Sequence, residues 1–116
     1  MIVITAAMPR AWQQLEGEQA AGLAEMFRLM GDGTRLRIIL ACVDEATHVG
    51  ALARRLSLSP SLVSHHLRLL RAGRILRAER RGKQVFYSLA DDHIRRVIGD
   101  MIAHVGEPEA PELVET

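Results

Sequence analysis

Apolar side chains recur along most of this chain at spacings of three and four residues, and shift to β-rich runs over one short stretch. Between Glu18 and Met30, the positions Leu23, Met26, Phe27 and Met30 follow a helical repeat and predict an amphipathic helix. Gly31-Asp32-Gly33 breaks it. A second helix is predicted from Thr34 to about Val43, with Leu36, Ile39, Leu40 and Val43 inward. Thr47 is expected to cap a short third helix, His48 to Leu56. Ser57-Leu58-Ser59 makes a tight turn, after which Ser59 suits an N-cap and Pro60 a first helical position. The fourth helix then runs to about Ala72 and stops at Gly73. Two β-rich runs follow, Ile75–Glu79 and Gln84–Leu89, joined by Arg80-Arg81-Gly82-Lys83 into a hairpin with a basic tip. Asp91 or Asp92 caps a last helix that ends near Gly106 and carries an apolar stripe of Ile94, Val97, Ile98, Met101, Ile102 and Val105.

The element order predicts a mainly α fold with a small β-hairpin: a winged helix-turn-helix. At 116 residues the chain is one domain with a small core, so a homodimer interface is an expected source of further burial. Residues 1–17 read as a poorly ordered arm or short helix, 18–106 as the folded domain with its terminal dimerisation helix, and 107–116 as an acidic tail. The single cysteine, Cys42, allows no disulfide within the chain, reads as a small core hydrophobe, and fits a protein of a reducing, cytoplasmic compartment. No run is long and apolar enough to span a membrane, and the apolar start lacks the basic flank of a signal peptide.

Charge changes the picture more than composition does. The net charge is +1, yet residues 54–83 hold nine Arg and Lys against Glu79 alone, a local +8 that leaves −7 elsewhere. Such a block suits a polyanion. On the fourth helix, Leu62, Val63, Leu67 and Leu70 are expected inward, with Ser61, Ser64, His65, Arg68 and Arg71 on the other side. Small hydroxyls at the helix start, including Ser59, permit close approach to a groove, and the serines, His65 and Arg68 can meet base edges or phosphates. Arg80, Arg81, Lys83 and Gln84 suit the DNA backbone or an adjacent minor groove. His66 lies nearer the apolar side and reads as structural.

The last helix also carries Asp91, His93, His104 and Glu107. His93 and His104 are eleven residues apart, so they share a face but sit roughly 16 Å apart along the axis. Zinc holds its ligands at about 2.0–2.2 Å. One ion can take both pairs only if a second copy of the helix lies antiparallel. Each residue also has a plainer use: Asp91 as a cap, His104 as a cation at a helix C-terminus, and Glu107 as a residue beyond the helix end. Four protein ligands leave no open coordination position, which argues against a zinc hydrolase, and no nucleophile constellation or organic-cofactor loop is present.

The segments LMGDGTRLRIIL and THVGALARRLSLSPSLVSHHLRLLRAGRILRAERRGKQVFYSLADDHI, with Asp-x-His followed by His-x-x-Glu on the last helix, resemble the ArsR/SmtB family of metal-responsive repressors over roughly residues 18–107. The resemblance implies a homodimer that binds an inverted-repeat operator and is released by its inducer. The Cys-x-Cys pair of the arsenic- and cadmium/lead-type sensors is replaced here by His48-Val49-Gly50, and the Cys and Asp of third-helix zinc sites by His48 and Ala51. The last-helix set resembles the zinc-sensing subgroup, with Asp91 and His93 from one subunit and His104 and Glu107 from the other. That resemblance makes Zn(II) the expected inducer, with Co(II) bound by the same donors. Ni(II) fits less well, because nickel-sensing relatives add histidines near the termini and this chain has none there. A non-metal signal is the remaining alternative. The resemblance also implies a relay in which the second ring nitrogen of His104 hydrogen-bonds the main-chain carbonyl of Arg74.

Overall fold

The computed structural model describes residues 15–111. Five helices and one hairpin follow in the order α1 (Gly17–Met30), α2 (Gly33–Ala41), α3 (Val49–Leu56), α4 (Pro60–Ala72), β1 (Leu76–Arg81), β2 (Gln84–Leu89) and α5 (Asp92–Val105). Most of the expected arm, residues 1–14, lies outside the described residues, as do the last five residues of the tail.

Each helix start is explained by its cap. Glu16 opens α1 in a capping box with Gln19, and Asp32 accepts the Arg35 amide at 3.0 Å to open α2. Ser59 accepts the Leu62 amide at 3.1 Å, with Pro60 behind it, as the sequence predicts. The cap of α3 differs from expectation. It is His48, whose Nδ1 accepts the Ala51 amide at 3.3 Å, and not Thr47. Thr47 is drawn into β-pairing: it exchanges two backbone hydrogen bonds with Tyr87, at 3.0 and 2.7 Å, and lays this strand-like residue beside β2.

The end of α4 holds a second surprise. Gly73 terminates the helix with an ordinary φ of −80°, and the left-handed position falls to Arg74 at φ +62°. The Arg74 amide donates to Arg71 and the Ile75 amide to Leu70, closing both orphan carbonyls in a Schellman arrangement. Gly73 is there for space: a Cβ would lie 2.4 Å from Leu29 Cδ1. This close approach seats α4 against α1.

The core gathers Leu29, Ile38, Ile39, Cys42, Leu52, Val63, Leu67, Leu70, Ile75, Leu76, Leu89, Ile94 and Ile98. Each fully buried branched side chain contributes about 1.5–3 kcal/mol of transfer free energy. Cys42 is buried among them, and burial pushes its thiol up to about 11. Three leucines expected inside are not. Leu36, Leu40 and Leu62 are each about two-fifths exposed, because Ile38, Ile39 and Val63 take the inward positions of their helices.

The hairpin pairs Leu76 with Leu89 through Arg81 with Gln84, leaving a two-residue turn of Gly82 and Lys83. Gly82 sits at φ +63°, the first-position geometry that glycine adopts without strain. Arg80 and Arg81 therefore lie in β1 and not in the turn, and as consecutive strand residues they project to opposite faces. One face of the wing carries Arg77, Glu79 and Arg81 beside Ser88, Phe86 and Gln84; the base of the other, Leu76 and Leu89, enters the core.

Candidate DNA-binding face and metal half-sites

α3, its turn and α4 present a helix-turn-helix whose outward surface is polar and cationic. On α4 the buried residues are Val63, His66, Leu67 and Leu70, one stripe at helical spacing. Ser61, His65, Arg68 and Arg71 are exposed and Ser64 is half-buried, so the face expected to meet DNA is the solvent face. Leu62 joins it at its edge, beside His65. Its exposure was not readable from hydrophobicity, and an outward leucine there suits a thymine methyl. Ser59 lies at the helix start with its hydroxyl oxygen occupied as a cap. Arg71, three turns further on, lines a polar cleft of about 410 Å³ with Arg74, Arg77 and Asp91.

His66 is 8% exposed, and its Nδ1 finds no hydrogen-bond partner among the described residues. Burial depresses its pKa first, and the neighbouring Arg35 adds to that. This burial agrees with the structural reading of His66 from the sequence. On the wing, Arg80, Arg81, Lys83 and Gln84 are all exposed. Arg81 is also engaged inside the wing, 3.3 Å from Glu79 and with its guanidinium 4.8 Å from the Phe86 ring centroid.

At the two ends of α5 the four candidate ligands stand as two pairs. Asp91 Oδ2 lies 3.7 Å from His93 Nδ1, and Glu107 Oε2 lies 3.7 Å from His104 Nδ1. All four side chains are more than half exposed. Two ligands on a tetrahedral zinc are roughly 3.3 Å apart, so each pair needs only a small closure to share one ion. Asp91 Oδ1 caps the helix by accepting the Ile94 amide at 2.9 Å, while its Oδ2 lies toward His93. That amide, and then His93, hold its carboxyl below the usual range. Glu107 follows Gly106, its amide donating to the His104 carbonyl at 3.1 Å. Among the described residues, one protomer brings no three His, Cys, Asp or Glu side chains together in a group that could hold a metal. Nor does His104 hydrogen-bond Arg74 within the protomer among these residues; its polar neighbour is Glu107.

Between the two pairs one face of α5 is apolar and open. Val97, Met101, Ile102 and Val105 are 42%, 55%, 54% and 82% exposed. With Leu36, Leu40 and Ile98, the last three of these line an apolar cleft of about 270 Å³. On α1, Leu23 and Phe27 are exposed as well. His48 completes the polar inventory: its Nδ1 is spent as the α3 cap and its ring packs edge-on against Phe86.

A family model described as a helix-turn-helix domain matches residues 30–79. The transcriptional repressor SmtB homolog of Synechocystis sp. is 37% identical over 92 residues, covering 79% of this chain and 70% of the relative. The HTH-type transcriptional regulator CmtR of Mycobacterium tuberculosis is 40% identical over 82 residues, covering 71% and 70%. The NMR structure of the cadmium metal-sensor CmtR from the same organism superposes with a TM-score of 0.61 at 37% identity, over 80% of this chain and 99% of that one. Fold and matches together define a winged helix-turn-helix DNA-binding regulator. At this identity and coverage the chain belongs to the ArsR/SmtB family of transcriptional repressors. No described helix is long and apolar enough to cross a membrane.

Proposed function

We propose that the chain is a zinc-responsive repressor: its metal-free homodimer binds an inverted-repeat operator, and Zn(II) bound between the subunits lowers DNA affinity, derepressing metal efflux or sequestration genes. The observation that carries this reading is the placement of two exposed His–carboxylate pairs at opposite ends of an open apolar helix. An antiparallel second copy covers the stripe and brings Asp91 and His93 against the partner's His104 and Glu107. Two imidazoles and two carboxylates suit tetrahedral Zn(II), which supplies a cross-link between the two helices when bound.

The protein's own groups do the rest. Ser61, Ser64, His65 and Arg68 read the major groove, with Ser59 at the helix start and Leu62 against a methyl group. Arg71 and the wing residues Arg80, Arg81, Lys83 and Gln84 hold phosphates, and those contacts make affinity fall with salt. A dimer reads half-sites about one helical turn apart, so fixing α5 against its partner at a different angle puts both α4 helices out of register. His104 can pass this on by donating its second ring N–H to the Arg74 carbonyl, just past the end of α4. The metal must favour the low-affinity form for the coupling to have this sign.

Soft ions need thiolates, and Cys42 is buried with a raised pKa, so the cadmium response named for the relative does not carry over to this chain. Co(II) fits the same donors, and Ni(II) lacks the extra histidines it would need. The test is a fluorescence-anisotropy titration of apo-protein on inverted-repeat DNA, followed by zinc, cobalt and nickel in turn. Release by about one zinc per bridged site, with nickel weak, is the expected result. Tight binding indifferent to every metal would overturn the zinc reading and leave a repressor with a non-metal signal.

A further inference from the structure

Phe86 sits where three parts of the protomer meet. The Arg81 guanidinium lies over its ring at 4.8 Å, and the His48 ring packs against it at 5.3 Å and 75°. The next residue, Tyr87, is tied to Thr47 by two backbone hydrogen bonds. Directly across the hairpin from Phe86 is Glu79, which also pairs with Arg81, at 3.3 Å. Arg81 and Phe86 are diagonal neighbours on one face of the wing, a separation that a long cation and an aromatic ring can bridge. The ring is therefore held by the residue that caps α3, and the guanidinium lies against the ring.

We propose that Phe86 is a positioning residue for DNA binding: held by His48, its ring pre-orders Arg81 so that the guanidinium edge faces an operator phosphate. This rests on the reading that the wing contacts DNA. An arginine free in solvent loses rotamer freedom when it grips a phosphate, and one already stacked has lost it beforehand. Stacking uses the guanidinium plane and leaves edge N–H donors open, which a lysine cannot reproduce. Glu79 keeps the cation in place until a phosphate competes for it.

The test measures operator affinity at several salt concentrations for the full-length chain and for Phe86→Leu, Phe86→Tyr, Arg81→Ala and Phe86→Leu with Arg81→Ala. Phe86→Leu is expected to weaken binding about threefold to tenfold, and Phe86→Tyr to restore it. Arg81→Ala is expected to lower the salt slope by about one, with Phe86→Leu moving the same way. The double variant is then no weaker than Arg81→Ala alone. Losses that multiply in the double variant, or an inert Arg81→Ala, would overturn the proposal while leaving DNA binding intact. If the wild type ignores DNA at every salt concentration, the DNA reading itself fails and takes this one with it. Should Phe86→Leu fail to fold, Arg81→Lys replaces it: charge is kept, planar stacking is lost, and about a threefold loss is expected; unchanged affinity would contradict the proposal.

Discussion

α4 and α5 are amphipathic helices of 13 and 14 residues, and one protomer completes only the first. α4 buries Val63, His66, Leu67 and Leu70 and shows a polar face to solvent. α5 buries Ile94 and Ile98 alone and leaves four further apolar residues in water, with a His–carboxylate pair at each end. Isolated exposed leucines are ordinary, but a contiguous patch marks an interaction surface. On the proposed function the difference divides the labour: the protomer's own core orients α4 for DNA, and α5 needs a second copy to complete its site.

Substitutions on the two helices should fail in different ways. Leu67→Ala, at the centre of the α4 stripe, is expected to cost about 2–5 kcal/mol in chemical denaturation, because it opens a cavity in a closed core. Ile102→Glu should leave the protomer folded, since that side chain is 54% exposed. It should instead yield monomers in sedimentation and lower operator affinity by about a hundredfold, the loss that follows when two half-sites are no longer linked. A dimer that survives Ile102→Glu would show that the second copy docks elsewhere.

Smaller changes sharpen the contrast. Arg74→Gly removes a non-glycine residue from left-handed backbone at the end of α4. It should raise stability by up to about 1 kcal/mol in thermal unfolding, and keep the carbonyl proposed to meet His104. The smallest effect concerns pH. The folded state holds His66 below the ordinary imidazole value of 6.5, chiefly through burial and then Arg35. Unfolded chains take up this proton first on acidification. The contribution is therefore whole above about pH 6.5 and is lost as pH falls through the depressed folded value. His66→Gln should flatten that part of a stability–pH curve; an unchanged slope would assign it to other groups.

Most of the fold was legible because its signals are local. Ser59-Pro60 starts α4, Asp91 starts α5, and the stripe at Val63, Leu67 and Leu70 names the buried face. What escaped depends on distant partners. Periodicity says that Leu36 and Leu40 share a face, and cannot say whether that face meets this core or another chain. Thr47 and His48 are both able caps, and the choice is made by Tyr87, which takes Thr47 into β-pairing. Arg80 and Arg81 looked like a basic tip until the register from Leu76 with Leu89 shortened the turn to Gly82-Lys83. The four metal-ligand candidates were legible as types and spacing; that each histidine lies beside its carboxylate needed coordinates. The contact of His48 with Phe86 links residues far apart in sequence and left no local trace.

A metal site shared between two copies can be rebuilt from two chains that are each defective, so complementation reads out the sharing itself. His93→Ala and His104→Ala chains would each form homodimers with every site broken. Co-expressed as a heterodimer, they rebuild one whole site from Asp91 and His93 of the second chain with His104 and Glu107 of the first, while the other site loses both histidines. Neither homodimer is expected to bind zinc tightly, whereas the purified heterodimer is expected to bind one ion and respond on operator DNA. A heterodimer as inert as its parents, or a homodimer that keeps full zinc affinity, would contradict it.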